Sequence, residues 1–197
     1  MNRKLLFYPK DASVPSHLKT EELLLRPLQA TDVELDYKAV MESQEFLLIR
    51  TNGRWPKIGF TIEENLKDLE HHEKGFNDRE EFTYTIMNHS ETRCLGCIYI
   101  TSFAQKLRSI LSKKEFESYD IGNFEAQVSF WMIPDCIKKD MDKRLLQDLI
   151  KWIKDEWSFS KVSLSFGFWL TDRDKELVAN LKEEFELSMT TKGWKLE

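Results

Sequence analysis

Apolar and polar positions are most regularly ordered between Glu125 and Trp157. Residues 127–133 (QVSFWMI) are largely apolar and aromatic, the pattern of a strand covered on both faces. Pro134 has no N–H and ends the ladder. After a short polar loop, Met141, Leu145, Leu149, Ile153 and Trp157 recur at four-residue spacing, and Leu146, Ile150 and Trp152 widen the stripe. Lys143, Arg144, Gln147, Asp148, Lys151 and Lys154 fall on the opposite side. Such a helix has to lie on a sheet or another helix.

The rest of the chain reads as short elements around this unit. Residues 23–28 (LLLRPL) predict a first strand stopped by Pro27. Thr31-Asp32-Val33-Glu34 has the form of a capping box and predicts a helix to about Met41. An aromatic, Gly-containing connection over 44–60 leads to a second capping box, Thr61-Ile62-Glu63-Glu64. Ile62, Leu66 and Leu69 then form a helical stripe ending near Gly75. Residues 82–87 (FTYTIM) and 95–102 (LGCIYITS) predict a hairpin around a turn at 88–92. A charged stretch at 104–121 has some helical pattern. Residues 162–169 (VSLSFGFW) predict a strand, and Thr171–Asp174 start a helix that buries Leu177, Val178, Leu181 and Phe185. Short strands are expected around 187–190 and 194–196.

Composition adds limits. The 197 residues are 41% hydrophobic and include 13 Phe and 6 Trp, enough for a sizeable core. With no internal repeat and no Ser/Gly-rich linker, a single domain over 1–197 is expected. A net charge of −5 leaves no basic excess for neutralising phosphates, which argues against nucleic acid as partner. No apolar run has the length of a membrane span, and Leu5–Tyr8 is too short for a secretory signal core, so the expected location is cytoplasmic, away from membranes. Cys94 and Cys97 have C-x-x-C spacing but lie in a strand pattern, where period two puts them on opposite faces. No second Cys or His pair completes a metal site, so reduced, unmetallated thiols are expected.

The element order β-α-α-β-β-β-α-β-α-β, with a hairpin before the central strand–loop–helix, resembles the GNAT family of acyl-CoA-dependent N-acetyltransferases. LLLRPLQATDVELDY is similar to its first strand and helix, with Arg26-Pro27-Leu28 and Asp32 in an R-P-L-x-x-x-D segment. FTYTIMNHSETRCLGCIYI is similar to its hairpin, with Leu95-Gly96 after the turn, and residues 127–157 to its central strand, pyrophosphate loop and following helix. The resemblance implies an α/β (α+β) fold: a mixed, mostly antiparallel central sheet with helices on both faces. In it, strands 127–133 and 162–168 start as parallel neighbours and splay apart. Acetyl-CoA, as co-substrate, sits in the opening, its pyrophosphate on backbone N–H groups of the loop and first helical turn. Contacts to it then fall on Trp131, Met132 and Ile133, on Ile137, Lys138, Lys139, Asp140, Met141, Asp142 and Lys143, and on Thr171, where the family often carries Asn.

The loop departs from the family pattern Q/R-x-x-G-x-G/A. Ile137 stands at the Gln/Arg position, and Asp140 and Asp142 stand at the two glycines. A carboxylate there adds bulk and like charge beside the phosphates. The same two residues also make sense as a helix start, Asp140 as N-cap and Asp142 in the first turn. Lys138, Lys139, Lys143 and Arg144 outnumber Asp135, Asp140 and Asp142 by one charge. Glu125 is the candidate base for the attacking amine, against the alternative of a solvated strand end, and residues 171–185 hold no Tyr to protonate the thiolate. Trp55, Phe60, Phe82 and Trp131 are candidates for an acceptor pocket or for ordinary core, as Tyr84 and Tyr99 are, and His71 and His72 read as surface residues. Two functions stay open: acetyl transfer to a small-molecule or peptide amine, by a monomer or homodimer, and a binding or regulatory module that has lost acyl-CoA catalysis.

Overall fold

The computed structural model describes residues 7–110, 112–118, 125–165, 172–182, 187–190 and 193–196. Strands β1 (Leu18–Lys19) and β2 (Leu24–Pro27) precede a 3-10 turn, Ala30–Asp32, and helices α1 (Val33–Glu42), α2 (Gln44–Arg50) and α3 (Ile62–Asn77). The hairpin strands β3 (Glu81–Met87) and β4 (Cys94–Ser102) lead to α4 (Phe103–Ile110) and α5 (Lys113–Ser118). Then come β5 (Ala126–Met132), the single turn α6 (Pro134–Ile137), α7 (Met141–Glu156) and β6 (Val162–Ser165). Helix α8 (Asp172–Lys182) and strands β7 (Leu187–Thr190) and β8 (Gly193–Leu196) end the chain. All eight strands form one sheet in the order β1-β2-β3-β4-β5-β6-β8-β7. The sheet is mixed. Among the described residues β5 and β6 are the parallel pair, in register from Ala126 and Val162 to Ser129 and Ser165, and the other neighbours are antiparallel. No helix among the described residues is long and apolar enough to cross a membrane.

Period two gives the sheet two different faces. Phe82, Tyr84, Ile98, Ile100, Val128 and Met132 form an apolar face, fully or nearly buried. Helix α7 lies on it with Leu145, Leu146, Leu149, Ile150, Trp152 and Ile153 buried and Lys151 exposed, as its stripe requires. Trp152 stands edge-on to Tyr84 at 5.1 Å, and Trp157 meets Phe82 at 5.1 Å. The other face carries Thr83, Thr85, Cys97, Tyr99, Ser129 and Trp131 and is covered by α1 and α3, through contacts such as Thr83 with His72 and Cys97 with Asp36. The polar composition of this second face matches its polar cover.

Local signals worked unevenly. The Thr61 box forms in full: its hydroxyl accepts from Glu64 N, and the Glu64 carboxylate accepts from Thr61 N. The box expected at Thr31 sits two residues earlier, where Gln29 N donates to Asp32 Oδ2 and Arg26 holds Asp32 through both guanidinium ends. A residue that can pair with Arg26 has a stronger partner than a solvated Thr. The connection expected at 44–60 contains α2, and the strand expected to 169 is described to Ser165. Phe185 and residues 166–171 lie outside the described residues, as do the side chains of Val178 and Leu181; Leu177 is buried.

The hairpin corrects one expectation. Cys94 pairs with Met87 and Gly96 with Ile86, so Leu95 is an extra residue on β4. This bulge resets the alternation. Cys94 and Cys97 therefore reach the same side, and both sulfurs approach Asp36 Oδ1. Gly96 is required for it: its φ is +149°, and a Cβ there would lie 2.0 Å from the Trp131 carbonyl oxygen.

Candidate functional site

The site lies at the C-terminal end of β5, next to the last described β5–β6 pair, Ser129 and Ser165. Beyond Ser129 and Ser165 the next β5 carbonyl, that of Phe130, accepts from Arg50 Nη1 at 2.8 Å. Arg50 comes from the end of α2, and its Nη2 donates to Asp174 Oδ1 on α8 at 2.6 Å. Both side chains are buried, 9% and 3% exposed. Burial pushes the Arg50 guanidinium down and the charge of Asp174 opposes that shift. The cavity left around this pair is about 10 Å³, with Phe46, Phe130, Trp131 and Leu177 among its walls. That is room for about one water molecule.

The loop after β5 closes on itself. Cys136 N and Ile137 N donate to the Ile133 carbonyl, Lys138 N to Pro134, Lys139 N to Cys136 and Asp140 N to Ile137. Five consecutive N–H groups, from Cys136 to Asp140, are thus engaged within the loop. Asp140 has φ 55° and ψ 22°, a left-handed conformation for which glycine is suited, and its side chain makes no cap hydrogen bond. The expected N-cap is therefore not formed. Instead Asp140 Oδ1 accepts from Arg173 Nη2 at 2.6 Å. Asp142 is buried in the first turn of α7, accepts from Lys143 N, and is held by Arg173 at both oxygens, 2.7 and 3.0 Å. A third carboxylate, Glu176, takes Arg173 Nη1 at 3.1 Å. The bond to Asp142, ahead of those to Asp140 and Glu176, holds the Arg173 guanidinium well above its ordinary range against the opposing effect of burial.

The structure brings Trp131, Met132, Ile133, Ile137, Asp140, Met141, Asp142 and Lys143 together around the β5 end and the α7 start, with Lys138 and Lys139 exposed on the rim. Lys138 faces Asp135 at 3.9 Å, and Arg144 is tied to Glu22 and to the Lys139 carbonyl. Thr171 lies outside the described residues. Glu125 is not part of this group. It precedes the opposite end of β5, about 23 Å along the strand from Met132. Its carboxylate accepts from Ser160 N at 2.7 Å, and it borders a separate open pocket of about 340 Å³ beside Tyr8 and Phe159. Arg50, Arg173 and Asp174 were missed by sequence reasoning. The signal for Arg50 was a cation three residues after Leu47 on the same apolar face of FLLIR.

On the other side of Trp131 lies a polar cluster. Trp131 Nε1 donates to Tyr99 Oη at 3.2 Å, and burial pushes the Tyr99 phenol up. The Tyr99 ring is 5.4 Å from that of His72, whose Nδ1 lies 2.6 Å from Glu81 Oε1. His72 is thus not the simple surface residue expected from its helix.

No family model matches the chain, and no curated protein matches it by sequence. Solved structures do match. RimL, a ribosomal L7/L12 alpha-N-protein acetyltransferase in complex with coenzyme A, is similar at 12% identity and a TM-score of 0.62, over 92% of this chain and 94% of that one. The microcin C7 self-immunity acetyltransferase MccE, in complex with acetyl-CoA and AMP, is similar at 13% identity and 0.61, over 93% and 94%. A ribosomal-protein-S5-alanine acetyltransferase from Vibrio fischeri is similar at 12% identity and 0.61, over 85% and 82%. Identities this low carry the fold and nothing finer: the chain has the fold of the GNAT acetyltransferases.

Proposed function

We propose that the chain transfers an acetyl group from acetyl-CoA to the amine of a small-molecule or peptide acceptor, starting from a resting state in which its own ion pairs latch the co-substrate cleft. The observation that carries this reading is the carboxylate of Asp142. A helix N-terminus and the Arg173 guanidinium converge on it, which is the arrangement that binds a phosphate in proteins. Here the occupant is a carboxylate of the chain itself. The resting conformation does not fit acyl-CoA, because the cavity is about 10 Å³ and the loop N–H groups are engaged. Opening requires Arg173 to leave Asp140 and Asp142, and Arg50 to leave Phe130 and Asp174. Leaving a buried charge without its partner costs about 3–5 kcal/mol, so co-substrate affinity is lowered by the latch. His72 is a candidate beside Glu125 to receive the amine proton: it is half-buried, oriented by Glu81 and next to Tyr99, whose hydroxyl accepts from Trp131, a wall of the cavity.

A second reading, a binding or regulatory module without acyl-CoA chemistry, is favoured by the five engaged loop N–H groups. Incubation of the protein with acetyl-CoA and a panel of amines, including peptides with free N-termini, separates the two. Acetylated product with release of free thiol, slower in His72→Gln and faster in Asp174→Asn, is expected. Absence of both product and acetyl-CoA binding, in the wild type and in Asp174→Asn, leaves the module.

A further inference from the structure

Four aspartates are buried among the described residues: Asp32, Asp36, Asp142 and Asp174. Three face a guanidinium: Asp32 meets Arg26, Asp142 meets Arg173 and Asp174 meets Arg50. Asp36 does not. Its Oδ2 accepts from Asn65 Nδ2 at 2.9 Å, and its Oδ1 faces two thiols, Cys97 Sγ at 3.4 Å and Cys94 Sγ at 3.9 Å. The three donor atoms lie within 4.8 Å of one another, all buried. Asn65 is fully buried, and its side-chain oxygen has no hydrogen-bond partner.

We propose that Cys94, Cys97 and Asp36 form a buried site for a thiolate-preferring divalent cation, zinc by its chemistry, with the Asn65 side-chain oxygen as fourth ligand. Zinc is four-coordinate with Zn–S near 2.3 Å and Zn–O near 2.0 Å, so the edges of its tetrahedron run from about 3.5 Å for S···O to about 3.8 Å for S···S. The Cys97 Sγ–Asp36 Oδ1 separation, 3.4 Å, falls at that length, and the Cys94 Sγ–Asp36 Oδ1 separation, 3.9 Å, exceeds it by about 0.4 Å, a distance a side-chain rotation closes. The β4 bulge is what makes the arrangement: a regular strand would turn Cys94 to the opposite face, and the extra residue Leu95 returns it. Two thiolates and one carboxylate around a divalent ion leave a net charge of −1, equal to that of the common Cys3His sites. Coordination drives the thiol and carboxyl protons out to solvent, with no change of oxidation state. Burial pushes the Asp36 carboxyl up, and hydrogen bonding to Cys94 together with burial pushes the Cys97 thiol up. Because the donors are enclosed, the ion enters as the chain folds.

Protein unfolded in denaturant with chelator and reductant, freed of both, and refolded with cobalt as the probe gives the test. A sulfur-to-cobalt charge-transfer band at about one equivalent per chain is expected. Elemental analysis of protein purified without chelator is expected to find zinc at the same ratio. The band should vanish in Cys94→Ser/Cys97→Ser, weaken in Asp36→Asn and persist in Cys136→Ser, each checked by far-UV circular dichroism for folding. If the double variant fails to fold, the wild type decides alone: refolded protein without the band, or with a Cys94–Cys97 disulfide, overturns the site. Full retention of the band in a folded double variant overturns it equally.

Discussion

A guanidinium as enclosed as that of Arg50 has to be met by an anion, and Asp174 meets it from 124 positions away in the chain. Asp174→Ala is expected to destabilise the fold by about 3–5 kcal/mol in urea unfolding, because it removes the carboxylate that meets a buried cation, whereas Arg50→Met with Asp174→Leu should come out near neutral or better. Equal losses in both would mean that packing, not charge, dominates there. His72 and Glu81 set a pH dependence. Burial works against ionisation of Glu81, but the bond to His72, together with the charges of His72, His71 and Lys106, outweighs it and holds the carboxyl below its ordinary range. A carboxylate depressed in the folded state contributes stability above its unfolded pKa and loses it as pH falls through the folded value. Thermal unfolding of wild type and Glu81→Gln should therefore differ most above about pH 5 and converge as the pH falls below the ordinary carboxylate range; a constant gap would remove the pair from the account. At this scale the sequence revealed little of the site. Asp140 and Asp142 stand out because they replace glycines in a recognisable loop, but an ion pair between distant residues has no local signature. Glu125 and the loop stand at opposite ends of a seven-residue strand, a separation that the residues alone do not display.

At the level of elements, periodicity carried most of the information. The α7 stripe was readable because a helix that covers a sheet exposes one side and buries the other. Leu149 is fully buried beneath it, and Leu149→Ala is expected to cost about 2–5 kcal/mol in chemical denaturation, with Lys151→Ala near zero. The β4 bulge was not readable. C-L-G-C looks like ordinary alternation until the register with β3 is known, and its only mark is a glycine in mid-strand. Gly96→Ala combines a φ of +149° with a Cβ 2.0 Å from a backbone oxygen. It should destabilise by more than about 1 kcal/mol and disturb the β4–β5 pairing, visible as faster amide exchange around Met132. An unaffected exchange pattern would show that the bulge can relax. Helix α2 escaped notice because seven residues with an apolar run and an inward arginine fit neither period cleanly.

For the molecule as a whole, the order of elements gave most of the architecture, since β1 to β6 enter the sheet in chain order with the parallel crossover β5–α7–β6, and β8, inserted between β6 and β7, breaks that order. What the order does not contain is the state of the cleft at that crossover. The family resemblance implied an opening, and the chain fills it with Arg50, Asp174, Arg173 and Asp142, drawn from α2, α7 and α8. The fold and the chemistry therefore have to be judged separately, and the latch is the point where they meet. Calorimetric titration of acetyl-CoA into the wild type and into Asp140→Gly/Asp142→Gly tests this most directly. Weak binding by the wild type, and binding at least about tenfold tighter once Arg173 is freed for phosphate, is the result the latch requires; affinity unchanged by the glycine pair, or no binding by either protein, contradicts it.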